Sequence, residues 1–275
     1  MNKKGMVYLI PTPIGNMDDL SKRIIDTLGI VDVIFCEDTR STKILLNYLG
    51  INKKLISSHK FNEATNKNKI LEFLKNEMIV GIVSDRGTPG ISDPGYILSK
   101  YAIDAGYEVV ALPGPTALIP ALIVSGMVPQ PFMFYGFLNS KSSERKKELN
   151  QLKYEKATLI FYEAPHRLKD TLSNMLEVLG DRDVCLEREI SKIHEEVIRN
   201  KLSEIVKIAD QLKGEFVIVV DGNHDEISFD DLSIIEHVDL YIKDGMSAND
   251  AIKTVAKERG VSKSIIYKEY HIGKW

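Results

Sequence analysis

Apolar and polar residues alternate along the first 120 positions in two different periods. Short runs of branched apolar side chains are separated by stretches in which apolar residues recur every three or four positions. The first pattern is typical of buried β-strands and the second of amphipathic helices. Strands that alternate with helices predict βαβ units and a largely parallel sheet, so the chain is predicted to be α/β. The predicted strands are 6–10, 31–36, 54–57, 79–84 and 108–112.

The alternation stops at Met127-Val-Pro-Gln-Pro131 and then begins again. Each proline lacks an amide hydrogen and clashes with the preceding turn, so this segment cannot continue a helix. We place a domain boundary in this region and predict two α/β domains, 1–118 and 119–224. The strands predicted in the second domain are 132–137, 157–162, 183–188, 195–199 and 216–220.

Residues 225–275 follow a third pattern, without a convincing strand. Helices are predicted at 229–242, 250–259 and 263–270, and Ser247 is placed to cap the second of them. Two helices joined by a short glycine-containing turn resemble a helix-turn-helix, although a simple helical pair gives the same pattern. We interpret the segment as an accessory helical extension.

Composition narrows the class of protein. The chain has 275 residues, of which 44% are hydrophobic and 27% charged, as in globular proteins. Its two cysteines, Cys36 and Cys185, are too few for a disulfide framework and suit a reducing cytoplasm. The apolar run at 6–10 is too short for a signal peptide, and no uncharged apolar run is long enough for a membrane span.

The net charge of −3 conceals local differences. Segment 139–156 has six basic and three acidic residues, 225–250 has one lysine against eight acidic residues, and 251–275 has six basic against two acidic residues. This distribution fits localised phosphate contacts on an otherwise acidic body. The basic segment, which contains Lys146 and Lys147, is equally typical of a solvated amphipathic helix.

Polar loops rich in proline and glycine follow four predicted strands. The longest, 84–95, contains three glycines and two prolines, and the others are 11–16, 112–117 and 163–167. Ligands of open α/β sheets bind at the carboxyl ends of strands, so these loops are expected to line one pocket. G-x-G-x-x-G and the Walker lysine are absent, which argues against dinucleotide and polyphosphate sites. Neither a metal motif nor a nucleophile elbow is present, so no metal site is predicted.

Six motifs carry a resemblance to a known family. PTPIGNMDDL, FCEDTRST, VSDRGTPGISDPG, LPGPTAL, FYEAPHR and GEFVIVV occur in this order. Together they resemble the ribosomal RNA small subunit methyltransferase I family, within the tetrapyrrole-methylase-like class of S-adenosylmethionine enzymes. The resemblance covers about 6–222. It implies two domains with the cofactor in the cleft between them, a homodimer, and transfer of a methyl group to the ribose 2′-hydroxyl of a decoding-centre cytidine.

The same resemblance implies which residues bind S-adenosylmethionine. Gly87-Thr88-Pro89 takes the place of the Gly-Asp-Pro turn of the wider class. Arg86 stands where family members carry a small residue, and Thr116 replaces a serine. The residues expected at the cofactor are Pro13, Ile14, Gly87, Thr88, Pro89, Ile91, Pro115, Thr116, Ala164, Glu189 and Phe216.

Catalysis requires a proton acceptor, because a ribose hydroxyl is a poor nucleophile at neutral pH. The candidates are Glu37, Asp38, Glu163 and His166. Arg40 and Arg167 are candidates to hold the target phosphate, since guanidinium groups suit phosphate oxygens. Each residue also has a plain structural interpretation, for example a helix cap for Glu37 or Asp38 paired with Arg40.

Two other functions remain open. One is a tetrapyrrole or other small-molecule methyltransferase, and the other is a ligand-sensing regulator that binds DNA through the helical extension. The basic segment, the loops that contain EDTR and EAPHR, and the helical extension weigh against the small-molecule enzyme. A single short helical motif beside a two-domain enzyme-like body weighs against the regulator.

Overall fold

The computed structural model describes residues 5–60, 62–224, 232–243 and 245–272. The chain divides into two compact units, Met1–Gly222 and Asn223–Trp275. The larger unit contains two five-stranded sheets, and the described residues of the smaller unit form helices. The α/β class predicted from the alternating pattern is thereby confirmed.

The first sheet is parallel throughout and has the order β3-β2-β4-β1-β5. Parallel strands end at a common edge, so the loops that follow β1, β4 and β5 lie together there. The strands are β1 (Met6–Leu9), β2 (Val33–Cys36), β3 (Lys54–Ser57), β4 (Ile79–Val83) and β5 (Glu108–Ala111). The helices of this half are α1 (Lys22–Ile30), α2 (Thr39–Tyr48), α3 (Lys67–Lys75) and α4 (Tyr96–Asp104).

Helices cover both faces of this sheet, which explains why its central strands are apolar at nearly every position. All four residues of β2 are buried. Val33 and Phe35 belong to the core on one face, whereas Ile34 and Cys36 belong to the core on the other.

Helix α5 (Leu118–Ser125) leads from the first sheet to the second. It contacts β8, β9 and β10, and its Ala121 and Leu122 pack against Ile160, Cys185 and Val219 of the second sheet. A helix that follows the last strand of one sheet therefore covers a face of the other.

The second sheet is mixed and has the order β6-β7-β10-β8-β9. Strand β6 pairs with β7 in parallel, whereas β10 is antiparallel to β7 and β8, and β8 is antiparallel to β9. The strands are β6 (Phe132–Phe137), β7 (Thr158–Glu163), β8 (Asp183–Arg188), β9 (Glu196–Lys201) and β10 (Phe216–Val220). The helices are α6 (Ser142–Gln151), α7 (Leu168–Leu179) and α8 (Leu202–Ile208), which pack on the face away from α5.

The described residues of the smaller unit form α9 (Ile234–Lys243), α10 (Ala248–Glu258) and α11 (Lys263–Ile272). They pack around a core that includes Val238, Ile252, Val255 and Ile266. The Ser247 hydroxyl accepts a hydrogen bond from the amide of Asp250 and so caps α10 as predicted. Part of the predicted helix 229–242 lies outside the described residues. Within the described chain, none of the helices has the length and apolarity that crossing a membrane requires.

Candidate functional site

A cleft of about 420 Å³ lies between the two sheets of the larger unit. Its walls include the loops that follow β1, β4, β5 and β7, which are the four loops predicted from the sequence to line a pocket. The lining residues are Ile14, Arg86, Gly87, Thr88, Ile91, Ser92, Asp93, Thr116, Ala117, Leu118, Phe137, Tyr162, Glu163, Ala164, Pro165, Ile190, Glu215, Phe216 and Val217.

Backbone hydrogen bonds join the loops after β1 and β4. The amide of Thr12 donates to the Gly87 carbonyl at 2.9 Å, and the amide of Gly87 donates to the Thr12 carbonyl at 3.0 Å. Gly87 has a φ of +72°, and a Cβ there would lie 3.3 Å from the Ile14 side chain. Glycine therefore provides both the left-handed turn and the close approach of the two loops.

Thr88 joins the loop that follows β4 to the loop that follows β5, because its hydroxyl donates to the Pro115 carbonyl at 3.2 Å. Thr116, in the loop that follows β5, and Tyr162, of β7, both line the cleft. Burial raises the pKa of Tyr162, so the phenol remains a neutral hydrogen-bonding group. The Thr12–Gly87 and Thr88–Pro115 hydrogen bonds therefore fix the three loops of the first half relative to one another.

An ion pair between Arg86 and Glu215 connects the two halves of the larger unit beside the cleft, and Lys192 extends it within the second half. Arg86 pairs with Glu215, and Lys192 lies 2.9 Å from Glu215 and 3.0 Å from Glu189. A hydrogen bond from the Glu215 amide, together with Lys192, holds the pKa of Glu189 below its usual value. Arg86 therefore bridges the two halves of the cleft.

Glu163 lines the cleft but its carboxylate is held by the protein. One oxygen accepts a hydrogen bond from the Thr171 hydroxyl at 2.5 Å, and the other accepts from the Ala164 amide at 2.8 Å. The Arg167 guanidinium lies 3.2 Å from Glu163 and also donates to the Leu138 carbonyl. Glu163 and Arg167 thus brace the junction of β7 and α7.

At the end of β2, Asp38 has the capping role that was one of its two interpretations. Its carboxylate accepts from the Arg40 amide at 2.8 Å and pairs with the Arg40 guanidinium at 2.8 Å. Hydrogen bonds from the Arg40 side chain lower the pKa of Asp38. Asp38 is therefore occupied at the start of α2.

Glu37 and Asp93 lie near other carboxylates, whereas Asp38 is paired with the cation of Arg40. Burial raises the pKa of Glu37, and the negative charges of Asp93 and Asp85 raise it further. The pKa of Asp93 is raised by burial and then by Asp85. Of these three carboxyls, Asp93 lines the cleft. Partial burial and nearby like charge make a carboxylate more basic, which suits proton transfer.

The predicted site residues separate into two groups. Those at the cleft are Ile14, Gly87, Thr88, Ile91, Glu163, Thr116, Ala164 and Phe216. Those that do not line it are Pro13, Pro89, Pro115, Glu189, Glu37, Asp38, Arg40, His166 and Arg167. His166 and Arg167 belong to a short 3-10 helix, Pro165–Arg167, whose first residue does line it.

Ser92, Asp93, Ala117 and Pro165 lie in the predicted pocket loops but were not named as site residues, and the lining residues outside those loops that sequence reasoning missed are Leu118, Phe137, Tyr162, Ile190, Glu215 and Val217. Most of these residues lie in or directly beside a predicted loop or strand. Their closeness to the motifs in the sequence is the signal that could have identified them. In the part of the chain that the structure describes, no cluster of His, Cys, Asp and Glu is arranged to hold a metal ion.

Residues 6–206 match the family model for Tetrapyrrole (Corrin/Porphyrin) Methylases. The chain is 49% identical to Ribosomal RNA small subunit methyltransferase I of Bacillus subtilis (strain 168), over 98% of this chain and 94% of that protein. It is 46% identical to the protein of the same name in Halalkalibacterium halodurans, over 98% of this chain and 95% of that protein. The crystal structure of the methyltransferase CobJ is similar with a TM-score of 0.61 at 18% identity, over 79% of this chain and 94% of that one.

Proposed function

Because the chain belongs to the tetrapyrrole (corrin/porphyrin) methylases and, within them, to the ribosomal RNA small subunit methyltransferase I family, we propose that it methylates small-subunit ribosomal RNA. The methyl donor is S-adenosylmethionine, and the acceptor is the ribose 2′-hydroxyl of a cytidine in the decoding centre. The proposal extends to a cytoplasmic homodimer.

The observation that carries the proposal is the extent of the similarity. The relatives named for ribosomal RNA match 98% of the chain, whereas the solved methyltransferase covers 79% of it and the family model ends at residue 206. The similarity to the RNA enzymes therefore includes sequence beyond the shared methylase fold. This favours RNA over a tetrapyrrole as the substrate.

The cleft residues fit S-adenosylmethionine. Its planar base suits the apolar wall formed by Ile190, Phe216 and Val217, and its polar groups suit the hydroxyls of Thr88 and Thr116. A cleft that also contains carboxylates favours a sulfonium cation over a phosphate. The residues proposed to hold the cofactor directly are Ile14, Gly87, Thr88, Ile91, Thr116, Ala164 and Phe216. Pro13, Pro89, Pro115 and Glu189 are proposed to act indirectly, by shaping the loops.

Bound S-adenosylmethionine supplies an electrophilic methyl group. The task of the protein is then to align the acceptor hydroxyl with that methyl group and to accept the hydroxyl proton. The hydrogen bonds that join the loops through Gly87 and Thr88 serve the first requirement, because they hold the cleft in one shape.

The basic segment 139–156 is proposed to contact RNA, with its charges divided between two roles. Arg145 is 2% exposed and donates to the Asn174 side chain at 2.8 Å, so it is structural. Lys146 pairs with Glu177 on α7. Lys147 pairs with Glu144 of its own helix, but it and Lys141 are exposed, whereas Lys146 is half-buried, so Lys141 and Lys147 are the better candidates for phosphate contacts.

The test is methyl transfer from labelled S-adenosylmethionine to three acceptors: assembled small subunits, free ribosomal RNA and a tetrapyrrole. Subunits must come from cells without this enzyme, so that the target is unmodified. We expect label in the RNA of the subunit and recovery of 2′-O-methylcytidine after digestion. Label in the tetrapyrrole alone would identify a small-molecule methyltransferase, and label on a cytosine base would exclude the ribose.

A further inference from the structure

Four charged side chains line the cleft, and the structure engages three of them. Arg86 and Glu215 pair with each other, and Glu163 is held by Thr171, Ala164 and Arg167. In the described residues, Asp93 has neither an ion-pair partner nor a hydrogen bond. A carboxylate that lines a cleft without a partner of its own is available to a ligand.

The loop that carries Asp93 is fixed at both ends. The amide of Gly90 donates to the Pro94 carbonyl at 3.2 Å, which closes the turn around Asp93. The buried carboxylate of Glu63 then accepts from the amides of Gly95 at 2.9 Å and Leu98 at 3.2 Å. Asp93 is thus presented by a rigid segment, as proton transfer in a defined geometry requires.

We propose that Asp93 is the catalytic residue that accepts the proton of the substrate hydroxyl, an inference that rests on the proposed function. As the oxygen–carbon bond to the methyl group forms, the carbon–sulfur bond breaks and its electron pair stays on sulfur. The hydroxyl proton passes to the Asp93 carboxylate, which becomes a carboxylic acid and later releases the proton to water. The products are the methyl ether and the neutral thioether.

The groups around Asp93 support its basicity. Burial and then the charge of Asp85 raise its pKa, and burial together with the charge of Asp93 raises the pKa values of Glu37 and of Tyr162 on the second sheet. Glu37 does not line the cleft, which favours Asp93 over Glu37 as the proton acceptor.

The experiment compares the wild-type protein with Asp93→Asn and Asp93→Glu, and uses Asp104→Asn as a matched control on the exposed surface of α4. Single-turnover methyl transfer to small subunits and calorimetric binding of S-adenosylmethionine are measured for each. We expect Asp93→Asn to transfer methyl groups about 10²–10⁴-fold more slowly, while its cofactor Kd rises by about tenfold at most, because the sulfonium loses one nearby negative charge. Asp93→Glu should recover part of the rate, and Asp104→Asn should match the wild type.

The pH profile separates catalysis from a structural effect. The wild-type rate should rise with pH as Asp93 ionises and then level off, and this rise should be missing in Asp93→Asn. A rate within about threefold of the wild type overturns the inference, as does a loss of cofactor affinity in proportion to the loss of rate. If Glu37→Gln abolishes the rise instead, Glu37 is the acceptor.

A wild-type protein that methylates no RNA refutes the proposed function and the inference with it, whereas an active wild type with an active Asp93→Asn refutes the inference alone.

Discussion

Glu187 is a buried carboxyl in surroundings that oppose its charge. It lies opposite Val217, which in turn lies opposite Tyr162, so the three side chains share the face of the second sheet that borders the cleft. Glu187 is 1% exposed, and its Oε2 has no hydrogen-bond partner among the described residues. Burial raises its pKa to about 7, with a further increase from Glu195 and an opposing effect of Arg199.

This raised pKa makes stability depend on pH. An unfolded glutamate has a pKa of 4.5, so between that value and about 7 the folded protein binds a proton that the unfolded chain does not. The free energy of unfolding therefore falls as pH rises through this window. Glu187→Gln should remove that loss and stabilise the protein at about pH 8 by on the order of 3 kcal/mol, with little effect at about pH 4.5.

Urea unfolding of the larger unit at both pH values tests this expectation. Glu108→Gln, an exposed change on β5, is the matched control and should leave the pH dependence unaltered. If Glu187→Gln keeps the wild-type pH dependence, the carboxylate is stabilised by a group other than those named.

Thr88 is the residue at which cofactor binding is most open to disruption. It lines the cleft and is half-buried, and its hydroxyl ties two loops together. Thr88→Lys places a long cation in the cleft proposed to hold the sulfonium group and should weaken S-adenosylmethionine binding by about 100-fold or more. Calorimetry measures the affinity, with exposed Thr65→Lys as control. Unchanged affinity in Thr88→Lys would place the cofactor elsewhere.

The motifs show which segments of the sequence form the cleft, but they do not show which carboxylate is free to contact a ligand. Asp38, Glu163 and Asp93 all follow strands and look alike in sequence. The difference lies in their partners: Arg40 occupies Asp38, and Thr171 with Arg167 occupies Glu163. Those partners depend on side-chain direction and helix position, which spacing alone does not specify.

At the level of elements, the first sheet is largely predictable and the second is not. Buried apolar runs between amphipathic helices have few arrangements other than a parallel sheet. In the second sheet, β10 comes last in sequence among the described strands and yet lies between β7 and β8. The alternating pattern contains no signal for that antiparallel insertion. The observed β9, Glu196–Lys201, also extends beyond the predicted strand 195–199.

Helix α6 is the element whose charge can be tested directly. Replacing exposed Lys141 and Lys147 with glutamate should weaken binding of small subunits and reduce the slope of log affinity against log salt by about 1.5. Cofactor affinity should not change, because neither residue lines the cleft. Lys22→Glu with Lys207→Glu, on exposed surfaces of α1 and α8, is the matched control. Equal losses in both double variants would indicate a general charge effect rather than a site on α6.

At the scale of the whole molecule, the two compact units have separate hydrophobic cores. Deleting 225–275 should therefore leave the thermal stability of the larger unit within a few degrees of the full-length value. Cofactor affinity should stay within about threefold, while methylation of small subunits measures what the extension contributes. A large fall in the melting temperature would show that the extension stabilises the body. The domain limits 1–118, 119–224 and 225–275 stay a prediction until such truncations are compared.

The two cysteines are distributed one to each sheet, Cys36 in β2 and Cys185 in β8, and both are fully buried. Burial raises the pKa of both thiols, that of Cys185 to about 11, so neither reacts readily while its strand is paired. A thiol-specific reagent can then label each sheet only after that sheet opens. The chain thus carries two intrinsic reporters, with which the opening of its two halves can be timed separately.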